Sequence, residues 1–466
     1  MSKHHEYLSK RQLKRGTAGW VLLAGLGVSY VISGDFAGWN FGIAQAGWAG
    51  FLLAAVAMAV MYFTLVLSLA EMSAAIPAAG GGYSFARQAM GPTGGFITGL
   101  AVLIEYALAP AAIVIFIGSA VNELIGIDGP LVYALFYAAF IAIHLAGVGE
   151  ALKVMMVISG LAVLAILMTA GVLVGHFDTT NLFDIAPATA QATEMLPFGW
   201  YGVWAALPFA MWLFLAVEGV PLAAEEAKNP AKDVPKGIIG AMLFLLVTAT
   251  LVVFLLAGAV GSEAIGASAV PLVDALKLTG NPMIATMVNV LGLAGLIASF
   301  FSIIYGYSRL VFALSRAGYL PQSLSLTSKK KVPSRALIVP GVFGFVVSLT
   351  GEGDLILAMA VVGATVSYAL MSLSHIMLRI KQPELERPYK TPGGMFTSGI
   401  SLVLSLIAMT GVYAFDPSAF FMTMGLFLIG GVYYGLYSRN KLVASSAEEE
   451  FAMLSLAEQD LNANTN

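Results

Sequence analysis

The sequence predicts an all-α integral membrane protein with twelve transmembrane helices. Of its 466 residues, 59% are apolar and 11% are charged, and the mean hydropathy is +0.87. An ordinary soluble domain has roughly 25% charged and about 45–50% apolar residues, so the polar residues here could not cover the surface of a soluble fold. Apolar segments of about 20 residues, the length that crosses a bilayer, recur along the chain.

Charge clusters, proline and glycine turns and polar stretches divide the chain into twelve such segments. The first is too long for a cleaved signal peptide, and many further segments follow it. The segments are 18–45, 48–76, 94–120, 130–147, 154–175, 200–224, 237–261, 283–315, 334–350, 355–380, 396–415 and 418–437.

The basic residues predict the orientation of these segments. If the N-terminus lies in the cytoplasm, Lys277 is the one residue among the 23 lysines and arginines that falls on the outer side. Because cytoplasmic loops are enriched in Lys and Arg, this sorting supports both the orientation and the number of segments. One miscounted segment would destroy it. Both termini are therefore predicted to be cytoplasmic.

Two of the segments are interrupted near their middles. The first contains a Ser/Gly/Asp cluster at residues 32–38, and the sixth contains an acid, a glycine and a proline within residues 214–221. Unwound backbone at membrane depth is tolerated only where it is buried in protein or lines a cavity. Glycines that permit close helix packing are the alternative explanation, but packing does not require Asp35 or Glu218.

The two interruptions also indicate an inverted repeat. Segments one and six are five helices apart, so they cross the membrane in opposite directions, and the substrate site is expected at the repeat interface. The predicted units are a cytoplasmic tail (1–16), a first five-helix repeat (17–176), an extracytoplasmic loop (177–199), a second five-helix repeat (200–381), a loop with helices 11 and 12 (382–438) and a cytoplasmic tail (439–466).

Three carboxylates lie near mid-membrane without a basic residue at the same depth: Asp35, Glu105 and Glu218. A buried carboxylate needs a partner, which must come from outside as a cationic substrate, a coupling ion or a proton. Carriers of amino acids typically hold the substrate carboxylate on half-helix N-termini, where Asp35 would repel it. The sequence therefore favours a small amine without a carboxylate as the substrate.

The predicted site residues cluster around these acids and interruptions. Trp212 precedes the second interruption, where an aromatic face could close over a bound ammonium group. The predicted substrate-binding residues are Ile32, Ser33, Gly34, Asp35, Tyr106, Trp212, Ala216, Val217, Glu218 and Gly219. The candidates for ion coupling are Glu105, Glu218, Ser299 and Ser302. The two serines share a helix face and could contact sodium, although membrane serines more often bond to their own backbone.

Several classes of function are disfavoured. The net charge of −3 and the lack of a long basic tract argue against nucleic-acid binding, and the absence of cysteine excludes disulfides and thiolate sites. An intramembrane aspartyl protease needs two aspartates, whereas Asp35 is the one intramembrane aspartate. Broken helices favour alternating access over the continuous pore of a channel. We therefore predict no enzymatic activity, no metal site and no cofactor, with coupling to H⁺ or Na⁺ left open.

The sequence resembles the amino acid–polyamine–organocation superfamily over nearly its whole length. The matching motifs are residues 71–87 (EMSAAIPAAGGGYSFAR), 216–218 (AVE), 225–230 (EEAKNP), 233–235 (DVP), and Arg309 followed by 316–321 (RAGYLP). Ala216 replaces the usual glycine of the superfamily's Gly-Φ-Glu motif. The resemblance implies a LeuT-like fold and secondary transport by alternating access, and it places Trp212 where the superfamily has a gating aromatic.

Within the superfamily, residues 28–40 (VSYVISGDFAGWN) and 104–111 (IEYALAPA) resemble bacterial ethanolamine permeases. This implies a bacterial inner-membrane permease whose partners are a small cationic amine and membrane lipid. An amino acid or polyamine transporter of the same superfamily remains the alternative. The lysine that some proton-coupled relatives carry in the fifth span is absent from 154–175, so the resemblance leaves the coupling ion open. It also leaves the oligomeric state open.

Overall fold

A computed structural model describes residues 16, 18–78, 80–146 and 151–443. Within these ranges the chain forms helices and turns, with one short backbone pairing between Ala18 and Ala227. The twelve main helices are α1 (Trp20–Phe36), α2 (Phe41–Ala75), α3 (Gly82–Ile125), α4 (Pro130–Ala146), α5 (Ala151–Leu173), α6 (Gly199–Glu226), α7 (Pro230–Val260), α8 (Pro282–Arg316), α9 (Ser334–Ser348), α10 (Gly353–Lys381), α11 (Met395–Phe415) and α12 (Pro417–Leu436).

Each predicted segment coincides with one of these helices. In the described part of the chain, nine helices are long and apolar enough to cross a membrane, whereas α1, α4 and α9 are shorter apolar helices. The chain is therefore an all-α integral membrane protein, and the number twelve stays a prediction. Most of the predicted tails, 1–16 and 439–466, lies outside the described residues, and the predicted unit boundaries likewise stay a prediction.

The helix packing has the symmetry of a repeat of five plus five helices. Helix α1 packs on α7 and α6 packs on α2, which is the same pair after a shift of five helices. The pairs α3 with α10 and α8 with α5 exchange in the same way. Because the interrupted helices α1 and α6 occupy equivalent places in this scheme, the fold is LeuT-like. Helix α3 lies at the centre of the bundle and α12 at its edge. The most apolar 18-residue stretch of α3 is 89% buried, whereas that of α12 is 11% buried.

The interruption of α1 begins within the predicted stretch 32–38 and extends two residues beyond it. The first helical piece ends at Val31, Ile32 is a turn, and Ser33–Phe36 form a short second piece, where the Ser33 N–H donates to the Ser299 hydroxyl at 2.9 Å. The backbone then unwinds at 37–40. There Gly38 has a φ of +95°, and its N–H donates to the Asn40 side chain at 3.2 Å.

The interruption of α6 falls within the predicted stretch. The α-helical part ends at Trp212, four residues form turns, and a 3-10 helix, Val217–Glu226, completes the span. Ala216 has a φ of +75°, a left-handed conformation that costs a residue with a Cβ about 1–2 kcal/mol. This position is where relatives with the Gly-Φ-Glu motif carry glycine, so Ala216 adopts a glycine-like backbone without being glycine.

Candidate substrate site

A small cavity lies between the two interruptions and the neighbouring helices α3 and α8. Its volume is about 10 Å³, and its lining residues are Tyr30, Val31, Ser33, Ile113, Trp212, Leu215 and Ile303. Ser33 and Trp212 were predicted for this site, whereas the apolar residues of the lining were not. A cavity of about 10–15 Å³ by this measure holds roughly one water molecule. A small organic substrate therefore fits only after the surrounding helices separate.

Trp212 connects the two interrupted helices. Its indole N–H donates to the Ala37 carbonyl at 3.0 Å, and its ring lies edge-on to Phe116 with ring centroids 6.1 Å apart. A Cβ atom on Gly38 would lie 2.7 Å from the indole nitrogen, so this contact requires glycine. The indole thus lies directly on the unwound part of α1.

Asp35 is buried and its carboxyl group lacks a hydrogen-bond partner in the described part of the chain. Its side chain is 1% exposed, and neither carboxyl oxygen accepts a hydrogen bond. Thr248 on α7 faces the carboxyl group, but the Thr248 hydroxyl donates to the Leu245 carbonyl at 3.2 Å. Burial of an unpaired carboxylate is costly, so this group requires a proton or a cation.

The residues next to Asp35 determine its direction. Ser33 and Phe36 face α8, where Phe36 covers two glycines, and a Cβ atom on Gly34 would lie 2.6 Å from the Trp212 carbonyl of α6. Asp35 therefore faces α7 and is not part of the cavity lining described above. A ligand that reaches both Asp35 and Trp212 requires a rearrangement at the interruption of α1.

The structure brings Glu105 and Glu218 together in one tyrosine network. The Tyr106 hydroxyl donates to Glu218 Oε1 at 2.8 Å, and the Tyr368 hydroxyl lies 2.9 Å from Glu218 Oε2 and 3.0 Å from Glu105 Oε1. The Tyr62 hydroxyl donates to that of Tyr368 at 3.3 Å. Sequence reasoning found both acids and Tyr106 but missed the other two tyrosines. The available signal was a hydroxyl inside each of two otherwise apolar spans.

The charge of this network is unbalanced. The two carboxyl groups approach each other, and Glu105 Oε2 has no hydrogen-bond donor. In the described ranges, neither acid forms an ion pair with Lys, Arg or His. Two adjacent buried carboxylates are stable only if a proton or another cation neutralises one of them. This arrangement can therefore bind and release one positive charge.

The remaining predicted residues have structural contacts. The Ser302 hydroxyl donates to the Ala298 carbonyl of its own helix at 2.7 Å, and the Ser299 hydroxyl accepts from the Ser33 N–H. A Cβ atom on Gly219 would lie 2.5 Å from the Tyr106 hydroxyl, so only glycine fits there. Ile32 is the turn between the two helical pieces of α1, Val217 follows the turn of α6, and both are buried.

Ion pairs close the end of the bundle that carries the basic loops. Arg309 donates to Glu226 at 2.7 Å with both side chains buried, and Arg316 donates to Glu225 at 2.8 Å. The Ala18 N–H donates to the carbonyl of Glu226 at 3.1 Å, which attaches the start of α1 to the end of α6. The two interrupted helices are therefore held together at this end.

A second tie closes the opposite end. The Asn40 amide donates to the carbonyls of Ile265 and Ser268 at 2.9 and 2.7 Å, so the loop between α7 and α8 is held on the interruption of α1. Both routes to the small cavity are thus closed by specific polar contacts.

The Arg309–Glu226 pair leads to a stability prediction. We expect Glu226→Gln to lower the free energy of unfolding by about 3–5 kcal/mol, because it leaves the Arg309 charge buried without its counter-ion. Adding Arg309→Gln to that variant is expected to recover more than half of the loss. Thermal unfolding of the purified single and double variants measures both effects. Equal or additive losses in the double variant would contradict the pairing.

The sequence model of the family described as amino acid permease matches residues 19–435, which is nearly the whole chain. The chain belongs to the amino acid permease family. The permease is 28% identical to the branched-chain amino acid permease of Bacillus subtilis (strain 168) over 457 residues, which cover 92% of this chain and 94% of that protein.

Two further relatives have different names. An uncharacterized transporter of Rhizobium meliloti (strain 1021) is 28% identical, covering 83% of this permease and 84% of its own length. The methylthioribose transporter of Bacillus subtilis (strain 168) is 26% identical over 88% of this permease and 89% of its own length. The resemblance to the superfamily is confirmed, and membership of a family of transporters agrees with the prediction that the chain is not an enzyme. The narrower resemblance to ethanolamine permeases stays a prediction.

Proposed function

We propose that this permease imports ethanolamine or a close small amine by alternating access. The observation that carries the proposal is Asp35, whose buried carboxyl group has no hydrogen-bond or ion-pair partner among the described residues. A primary ammonium group would supply both the missing charge and up to three donors. The resemblance of residues 28–40 to ethanolamine permeases supports the same substrate from an independent direction.

In this proposal the predicted residues of the two interruptions and Trp212 bind the substrate. Asp35 pairs with the ammonium group, while backbone groups of 32–34 and 216–219 bind the remaining polar atom of the substrate. Trp212 lies over the interruption of α1 and closes the occupied site. Opening requires the indole to leave the Ala37 carbonyl, which uncovers the region between the small cavity and the face of Asp35.

We propose a proton as the coupling ion. The pair Glu105 and Glu218 supports this, because it gathers two carboxyl groups around the hydroxyl of Tyr368 with a free acceptor oxygen. Sodium has less support, since the hydroxyls of Ser299 and Ser302 already take part in hydrogen bonds within the protein. The proton would move between this pair and water when the permease opens.

Transport of a neutral amino acid is the second candidate. Two observations favour it: four lining residues of the small cavity are aliphatic, namely Val31, Ile113, Leu215 and Ile303, and one of the relatives is named as a branched-chain amino acid permease. Against it stands Asp35, which would repel a substrate carboxylate near the interruption of α1. The methylthioribose transporter is a relative whose name specifies a sugar derivative, so names alone do not decide between the two.

We propose the bacterial inner membrane as the location, with both termini in the cytoplasm. The distribution of Lys and Arg over the loops supports this orientation. The ion pairs of Arg309 and Arg316 then form the cytoplasmic closure, and the loop held by Asn40 forms the outer closure.

Uptake of radiolabelled ethanolamine into proteoliposomes tests the proposed substrate. We expect saturable uptake that a large excess of unlabelled ethanolamine lowers by at least about tenfold. The same excess of isoleucine or of ethylene glycol is expected to leave uptake within about twofold of its value without competitor. Isoleucine carries a carboxylate that Asp35 repels, and ethylene glycol lacks the ammonium group. Competition by isoleucine equal to that by ethanolamine would favour the second candidate.

A further inference from the structure

A large apolar groove lies on the outside of the bundle, away from the substrate site. Its volume is about 490 Å³, within the roughly 300–1,000 Å³ that is usual for ligand sites. Its walls come from α3, α9, α12, and the end of α8 with the segment that follows it. Val339 on α9 and Ile429 on α12 line it and are 55% and 68% exposed, so the groove is open towards the hydrocarbon of the bilayer.

Two basic side chains, Lys329 and Arg335, belong to the stretch between Leu324 and Val339, which joins two walls of this groove. Arg335 is four residues before Val339 and eight before Phe343 on α9, which places all three on one helix face. In the described part of the chain, the exposed side chains of Arg335 and Lys329 have no hydrogen bond or ion pair. The Lys330 ammonium group donates to the Ala146 carbonyl at 2.7 Å, which fixes the loop that carries these charges.

One lining residue is polar and also lacks a partner. The Tyr433 hydroxyl on α12 is buried and has no hydrogen-bond partner in the described ranges. An apolar groove, a buried hydroxyl along it and two unpaired cations in the stretch that joins two of its walls match the parts of a phospholipid. The acyl chain fits the groove, the phosphate can pair with the cations, and the Tyr433 hydroxyl can donate to an ester oxygen once its side chain turns into the groove.

We propose that this groove is a binding site for an anionic phospholipid, with its headgroup held by Arg335 and Lys329. A second copy of the chain fits the charges less well, because a two-fold interface over the groove would bring two copies of Arg335 close together. The site does not depend on the proposed substrate, and the two can be tested separately.

Native mass spectrometry of the full-length protein, incubated with phosphatidylglycerol or with phosphatidylcholine of identical acyl chains, tests the site. Val339→Trp fills the groove, and Val342→Trp is its matched control, since Val342 is also 55% exposed on α9 but does not line the groove. Arg335→Gln removes a headgroup contact, and Lys232→Gln removes an exposed charge on α7, which is not a wall of the groove.

We expect the phosphatidylglycerol adduct to exceed the phosphatidylcholine adduct in the wild type and in both controls. Val339→Trp is expected to lose both adducts. Arg335→Gln is expected to lower the phosphatidylglycerol adduct about fivefold, which is the effect of removing one cation near an anionic lipid. The phosphatidylcholine adduct is expected to stay unchanged. Three results would each overturn the proposal. They are equal effects of the two tryptophan variants, equal adducts of the two lipids in the wild type, and a dimer that Val339→Trp dissociates.

Discussion

Asp35→Asn is expected to lower ethanolamine uptake by at least about a hundredfold. The change keeps the size of the side chain and removes its charge, so the ammonium group would be buried without a counter-ion. Losing one member of a buried ion pair costs about 3–5 kcal/mol, more than the roughly 2.7 kcal/mol that a hundredfold effect requires. Initial uptake rates of the purified variant in proteoliposomes, over a range of ethanolamine concentrations, measure the effect.

Two controls distinguish a binding defect from a folding defect. The carboxyl group of Asp35 has no partner in the described part of the chain, so we expect its replacement to leave the unfolding temperature equal to or above that of the wild type. Asp178→Asn is the matched variant in the exposed loop between α5 and α6, where the Thr180 N–H and hydroxyl lower the pKa of Asp178. That variant is expected to transport normally. Undiminished uptake by Asp35→Asn would refute the assignment of this residue.

Glu105→Gln and Glu218→Gln are each expected to abolish accumulation driven by a pH gradient. Either amide removes one of the two carboxyl groups that share the Tyr368 hydroxyl, so the remaining group no longer gains and loses a proton during the cycle. Counterflow exchange needs substrate binding and alternating access but no net proton movement. We therefore expect the coupling variant to retain counterflow within about threefold of the wild type while its accumulation ratio falls to about one.

Tyr368→Phe is the control for the hydroxyl itself, because it leaves both carboxyl groups in place. We expect this variant to retain pH-driven accumulation at a reduced level, since the Tyr106 hydroxyl still donates to Glu218. Glutamine variants that lose both counterflow and accumulation, or neither, would count against a coupling role for these acids. Accumulation driven by a sodium gradient alone would count against the proton.

The membrane class and the order of the helices could be predicted from the sequence because they depend on local properties. Apolar length defines each span, and the order of the spans follows the order of the apolar segments along the chain. The interruption of α6 was also predictable, since Pro221 and Gly219 weaken a helix wherever they occur. Ala216 shows the limit of such reasoning, because its left-handed backbone follows from the shape of the turn and not from its own preference.

The short helix inside the interruption of α1 could not be predicted from the sequence, because a distant residue contributes to it. Ser299 on α8 accepts a hydrogen bond from the Ser33 N–H at the start of the helix Ser33–Phe36. The predicted stretch 32–38 contains both Gly34 and Gly38. In the fold, Gly38 alone takes positive φ, beneath the indole of Trp212.

The network around Glu105 and Glu218 also could not be predicted from the sequence. Each acid was identifiable as a charge inside an apolar span, but their proximity depends on Tyr368, which is 263 residues from Glu105 and 150 from Glu218. The direction of Asp35 towards α7 likewise depends on packing, since its neighbours Ser33 and Gly34 contact α8 and α6. Sequence pattern identifies such groups, and tertiary structure determines which of them act together.

A structure of the permease bound to ethanolamine tests the central claim most directly. We expect the ammonium nitrogen within about 4 Å of the Asp35 carboxyl group, the range of an ion pair, with the Trp212 indole displaced from the Ala37 carbonyl. An amine bound far from residues 33–36, or a ligand carboxylate beside Asp35, would contradict the account.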